Sequence, residues 1–250
     1  MRGSGFGNRE STGARLESAR YLAVQSMAMP DFVHAAVRAY LSGLTPPDDG
    51  LLAEVRDRSK ADGVPALSPD AARLLHVVAL AAAPRRIFEI GTGYGCSGIQ
   101  LARALAADGL LFTVERDPRR AAVARGHFER AGLADRVNVM VGEATRLVYK
   151  VAGPFDLIFQ DGGKDHYEPL LDRLVDLLRP RGILVSDNIL WQGDVIPGFR
   201  DEPAHAPASA TTIIRYSRRL ADDPRLETVF LPIGDGVAVS VKRDKKVCPQ

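Results

Sequence analysis

The chain reads as an α/β protein with a doubly wound, largely parallel sheet preceded by helices, and three observations predict it. From Arg86 onward, short apolar runs of strand length alternate with helix-length amphipathic segments. The first run is followed by a glycine-rich turn, Gly91-Thr92-Gly93-Tyr94-Gly95. Two later runs end in polar residues, Gln160-Asp161 and Ser186-Asp187-Asn188.

Residues 1–13 are rich in Gly, Ser and Arg and are expected to form a disordered arm. Residues 14–29 are amphipathic and stop at Pro30; Asp31 can cap a helix over 32–44, and a third helix follows Pro46-Pro47-Asp48. Ser68-Pro69-Asp70 combines a capping serine, a first-turn proline and an early acid, so a helix should run from there to Ala83. Strands are expected at 86–90, 110–115, 137–141, 155–160 and 182–187, with helices at 97–107, 118–132, 165–178 and 208–221. The runs 227–231 and 236–241 flank Pro232-Ile233-Gly234-Asp235, which predicts an antiparallel hairpin. One domain over 14–243 is expected, with a helical part (14–83), an α/β core (84–243) and a tail over 244–250. Residues 192–207 leave the second polar strand end and are rich in Gly, Pro and Ala, which marks them as a lid that selects the acceptor.

At 250 residues, with 46% hydrophobic and 26% charged residues, the chain can bury one large core. A formal charge of +2 gives no argument for a nucleic-acid partner, and the basic stretch Lys242-Arg243-Asp244-Lys245-Lys246 reads as solvated terminus. The longest apolar stretch, Leu74 to Ala83, is too short to span a membrane and is interrupted by His76. Cys96 and Cys248 form no framework, and the N-terminal stretch lacks a signal-peptide core, so a reduced, cytoplasmic protein is expected.

Glycines after the first strand let the backbone approach a ligand closely. Gly93-Tyr94-Gly95-Cys96-Ser97-Gly98 fits the dinucleotide pattern, and Glu115 lies 24 residues beyond Gly91, where a carboxylate takes ribose hydroxyls. Nicotinamide and S-adenosylmethionine enzymes share that acid, so both readings stay open here. Gly142-Glu143-Ala144, after the third strand, would border the adenine. Asp161, Asp187 and Asn188, brought to one sheet edge, would make an oxygen-only cage suited to a hard divalent cation, and Lys164 lies within reach of it. His166, His205 and Cys96 have no spacing that argues for catalysis.

Glu89-Ile90-Gly91-Thr92, Asp161-x-x-Lys164-x-x-Tyr167, Asp187-Asn188-x-Leu190-Trp191 and Gly234-Asp235-Gly236 occur in the order and spacing of one family. Over residues 60–243 the chain resembles the metal-dependent class I small-molecule O-methyltransferases, which include catechol and caffeoyl-coenzyme A O-methyltransferases. The resemblance implies a Rossmann-like, seven-stranded sheet with an antiparallel last strand. It implies S-adenosyl-L-methionine as methyl donor and Mg2+ or another divalent cation held by Asp161, Asp187 and Asn188. It further implies Lys164 as catalytic base, cofactor contacts from Glu89, Gly91, Gly95, Ser97, Glu115, Ala144 and Asp161, and a small aromatic acceptor. Trp191 and Tyr167 are candidates for the acceptor-pocket wall. Similar enzymes outside the catechol branch are commonly dimers, and the helices over 14–59 are expected to form part of a homodimer interface. Gly163 in the Asp161 loop, Gly93-Tyr94 and Cys96 in the glycine turn and Pro65-Ala66-Leu67 in the acceptor-pocket segment depart from the usual family residues.

The chemistry explains the residue types. Methyl transfer from a sulfonium is an in-line displacement whose nucleophile must be held and made anionic. A phenol titrates at about 10, so a cation chelated by two adjacent hydroxyls and a nearby base favour the phenolate. A metal-independent methyltransferase of the same fold, an NAD-linked oxidoreductase and a non-enzymatic binding module remain the alternatives at this point.

Overall fold

A computed structural model describes residues 35–199, 203 and 207–244. The expected arm over 1–13, the helix over 14–29, the Asp31 cap, His205 and residues 245–250 lie outside them. The chain divides into two compact units between Leu44 and Thr45. Of the first unit one helix is described, α1 (Ala35–Leu44), with Val37, Tyr40, Leu41 and Leu44 exposed along one stripe.

The second unit begins with two capped helices. Asp49 accepts a hydrogen bond from Leu52 N (3.0 Å) and opens α2 (Gly50–Ala61). Ser68 accepts from Ala71 N (3.3 Å) at the start of α3 (Pro69–Ala82), where proline fills the first turn as expected. The sheet comprises β1 (Arg86–Ile90), β2 (Leu110–Glu115), β3 (Val137–Val141), β4 (Phe155–Gln160), β5 (Leu178–Ser186), β6 (Leu226–Leu231) and β7 (Val237–Lys242). Its order is β3-β2-β1-β4-β5-β7-β6. The first five strands pair in parallel, and β7 runs antiparallel to both β5 and β6. Between them lie α4 (Cys96–Arg103), α5 (Pro118–Arg130), the short α6 (Ala144–Leu147), α7 (Tyr167–Leu177) and α8 (Pro207–Asp222).

The chain works outward from β1 to β3, then crosses back to β4 on the other side of β1. The connections leaving β1 and β4 therefore lead to helices on opposite faces of the sheet, and a crevice opens outside the carboxyl ends of these strands. Alternation puts successive residues on opposite faces. Ile87, Leu111, Leu157 and Phe159 pack with Leu75, Ile99 and Phe128 from one helix layer. Phe88, Ile158 and Leu184 pack with Tyr167, Leu171 and Tyr216 from the other.

Three expected elements differ in their bounds. The helix expected over 97–107 ends at Arg103, because Ala106 N donates to Pro84 O (2.9 Å) and draws the chain toward β2. The strand expected from 182 begins at Leu178: Leu178 pairs with Phe155, and the register slips before Leu157 meets Ile183. The helix expected over 165–178 splits into a tight turn at Lys164–His166 and α7.

Near the site, Ser186 and Tyr216 share a buried hydroxyl–hydroxyl bond of 2.6 Å that ties β5 to α8. Tyr216→Phe leaves the Ser186 hydroxyl buried without that partner, an expected loss of about 1–3 kcal/mol. Urea denaturation of both proteins measures it; an unshifted midpoint would mean that the bond contributes nothing.

Candidate active site

The crevice at the switch point holds a cavity of about 380 Å³. Of the residues singled out in the sequence, Gly91, Glu115, Ala144, Asp161, Lys164, Asn188 and Trp191 line it. Glu89, Asp187 and Tyr167 are buried just behind its surface.

One end is built by β1, β2 and their turns. Gly91 has φ 103°, and a Cβ there would lie 2.8 Å from the carbonyl carbon of Asp161, so only glycine lets the two turns touch. Glu115 accepts from Gly93 N (2.9 Å) through Oε2 and from Asp117 N (3.0 Å) through Oε1, which fixes the carboxylate at the cavity edge. Glu89 is fully buried; Ser97 Oγ and Thr113 Oγ1 each donate to it at 2.6 Å. Burial pushes its carboxyl up to about 7, against the pull of those two donors. Ser97 also lines a second, small cavity together with Gly91 and Asp161. Gly95 lines neither cavity: it starts α4 at φ 91°, and a Cβ there would crowd the Phe128 ring at 3.1 Å.

The other end is built by the ends of β4 and β5, which Asp187 N joins by donating to Gln160 O (3.1 Å). Lys164 Nζ donates to Asn188 Oδ1 (2.6 Å), Tyr167 Oη (2.7 Å) and Asp161 Oδ1 (3.3 Å). It also lies 5.4 Å from the Trp191 ring centroid. Burial raises both carboxyls, Asp187 to about 7 with the Asp161 charge adding to the rise and Lys164 opposing it. Tyr167, expected in the wall of the acceptor pocket, is instead wholly buried beneath the cavity. Its hydroxyl lies 3.1 Å from Gln160 O and 3.0 Å from Asp187 O, so the ring is drawn under the strand ends rather than into the opening.

Among the described residues, no three His, Cys, Asp or Glu side chains are arranged to hold a metal ion. The set here is two carboxylates and an amide oxygen, and hard divalent cations accept such oxygen donors. Asp187 Oδ1 is buried with no hydrogen-bond partner among the described residues, an acceptor that a cation would satisfy. The donor set therefore fits a divalent cation.

The cavity has further lining residues to which the sequence reading assigned no individual role, His166 among them, which it set aside. His166 lies 3.4 Å from Asp165 and 4.0 Å from Glu143, Arg116 and Arg120 border the Glu115 end, and Gln192 and Asp235 border the Asn188 end. His166 and Arg116 were within reach of sequence reasoning, since each directly follows a motif position by one or two residues. Asp235 was visible only as part of a motif without a role.

The O-methyltransferase family pattern matches residues 47–243. The chain is 34% identical to a catechol O-methyltransferase of Niastella koreensis over 85% of its length and 99% of the relative's. It is 35% identical to a catechol O-methyltransferase of Mycobacterium tuberculosis over 83% of its length and 95% of that protein's. Among solved structures, an O-methyltransferase from Bacillus cereus in complex with SAH superposes with a TM-score of 0.72 at 32% identity, covering 83% of this chain and 97% of that one. These matches decide against the nicotinamide reading of the glycine turn, and with the sheet order and crevice described above they show that the chain belongs to the O-methyltransferase family.

Proposed function

We propose that this O-methyltransferase moves a methyl group from S-adenosylmethionine to one hydroxyl of a vicinal dihydroxy aromatic, at a site that holds a divalent cation. The observation that carries the reading is the buried, unsatisfied Asp187 Oδ1 beside the Lys164–Asp161–Asn188 cluster, on a cavity that continues to Glu115. The names of the relatives support the acceptor class, and SAH in the Bacillus cereus structure supports the donor.

In this reading Glu115 takes the ribose hydroxyls and Ala144 borders the adenine. Gly91 permits close approach, with Glu89, Gly95 and Ser97 shaping the turn behind it and Asp161 bordering both halves. Asp161, Asp187 and Asn188 hold the cation, for which Mg2+ is the leading choice. When bound, that cation supplies positive charge that favours the ionised acceptor oxygen. Lys164 Nζ, in its neutral amine form, receives the hydroxyl proton, and the ammonium so formed is the donor whose bonds Asp161, Tyr167 and Asn188 accept. Trp191 forms an aromatic wall beside Lys164. Residues 192–207 serve as the lid; Gly193, whose Cβ would run into the Phe199 ring, lets its described part fold back on itself. Lys164 already bridges Asp161 and Asn188, an arrangement that favours a metal-independent enzyme as the second reading.

Turnover of labelled S-adenosylmethionine with a panel of catechols, with and without EDTA, separates the two readings. Asp187→Ala should abolish turnover and manganese binding while SAH still binds; full activity in EDTA would sink the metal reading. Protons compete with a cation for a carboxylate raised to about 7, so manganese affinity should rise between pH 6 and 8. A flat profile would contradict that.

Glu115→Ala should weaken SAH binding by roughly 10- to 100-fold, the scale of two charge-assisted hydrogen bonds after solvent compensation. Calorimetry reads it, and unchanged affinity would remove Glu115 from the cofactor site.

A homodimer is also proposed, supported by the exposed Val37, Tyr40, Leu41 and Leu44 stripe on α1. Light scattering at micromolar concentration should give twice the chain mass; a monomer would rule it out.

A further inference from the structure

We propose that Asp235 is a positioning residue: its carboxylate holds the NH2 end of the Asn188 amide, opposite Lys164, and holds the Trp191–Gln192 turn. The Asn188 half of this rests on the metal reading above; the turn half does not.

Asp235 lies in the turn between β6 and β7, 47 residues from Asn188 in sequence. Both hydrogen bonds of its carboxylate leave that turn. Oδ2 accepts from Asn188 Nδ2 (3.2 Å) and Oδ1 accepts from Gln192 N (2.5 Å). An asparagine amide has a donor end and an acceptor end of nearly equal shape. Against a carboxylate, which only accepts, the NH2 end must face Asp235. Oδ1 then faces Lys164, 2.6 Å away, on the side of Asp161. Lys164 Nζ, which donates to Oδ1, favours the same orientation from the other end. Without Asp235 the NH2 end loses its acceptor, and Lys164 alone opposes a flip that would turn N–H groups toward a cation.

The second bond acts on a backbone that resists its own conformation. Trp191 and Gln192 sit at φ 48° and 53°, consecutive left-handed residues with no glycine between them. Losing the carboxylate would remove the hydrogen bond that Gln192 N donates to Oδ1. The carboxylate itself is well seated. Leu190 N donates to Asp235 O (3.0 Å) and Ile189 N to Gly236 O (3.1 Å). Gly234 and Gly236 have φ 60° and 82°, and a Cβ on either would come within 2.6 Å of Ser68 Oγ or Leu190 Cγ. The turn is therefore locked against both α3 and the segment after β5, and it delivers one carboxylate to two targets.

The test compares full-length protein with Asp235→Ala and Asp235→Asn. The readouts are manganese binding, SAH binding, catechol KM against kcat, thermal melting, and acrylamide quenching of Trp191, the one tryptophan in the chain. Asp235→Ala should weaken manganese binding about 10- to 100-fold, the usual cost of losing a partner of a metal ligand. It should raise catechol KM and Trp191 quenching, while SAH affinity stays within about threefold of the wild type, because the residue touches no group assigned to the donor. Asparagine retains one acceptor oxygen, so Asp235→Asn should restore low quenching through Gln192 N but not manganese affinity. Wild-type manganese affinity and quenching in Asp235→Ala would overturn the proposal. So would a general collapse in which SAH binding and melting temperature fall together, since that is what a merely structural turn residue gives. If the wild-type protein binds no manganese, the metal reading fails and quenching with catechol KM decides: a change in Asp235→Ala upholds the turn-holding role, and no change overturns it.

Discussion

The rest of the site depends on one buried cation, Lys164, wedged between Asp161 and Asn188 over the hydroxyl of Tyr167. A lysine side chain only 8% exposed is tolerable when its charge is met by well-placed acceptors. Those acceptors come from three places: the end of β4, the start of α7 and the segment after β5. The same contact that neutralises the lysine thus fastens together the elements that must converge for chemistry. Asp187 stands beside this cluster with an oxygen left over, and burial makes that oxygen reluctant to carry charge alone.

The sheet order decides why the cluster faces a cavity at all. Because β4 returns beside β1 after the chain has gone out to β3, the connections from β1 and β4 leave for opposite faces of the sheet beyond their contact at Gly91 and Asp161. Glu115 on β2 and Asn188 after β5 end up on opposite shores of one crevice. The antiparallel hairpin of β6 and β7 then closes the far side and brings Asp235 to the rim.

Much of this was legible in the sequence, and the limits have identifiable causes. Strand ends at Ile90, Glu115, Val141 and Gln160 were readable because buried parallel strands are short apolar runs with abrupt polar ends. The start of β5 was not, since Leu178 enters the sheet only through a slipped register with Phe155. Asp161, Asp187 and Asn188 stood out as polar residues closing strands. Tyr167 looked like a pocket aromatic because its spacing from Lys164 was visible, whereas the carbonyls of Gln160 and Asp187 that pull its hydroxyl downward are brought together only by the pairing of β4 with β5. The contact of Asp235 with Asn188 is hidden for the same kind of reason.

The touch between Gly91 and Asp161 has its own consequence. The separation of the two halves of the cavity is set there by main chain against main chain, with no side chain in between. Substitutions elsewhere can reshape the walls at Val64, Pro65, Trp191 or Gln192 without altering that spacing. A protein built this way can diverge freely in what it accepts while the reach from one bound partner to the other stays constant.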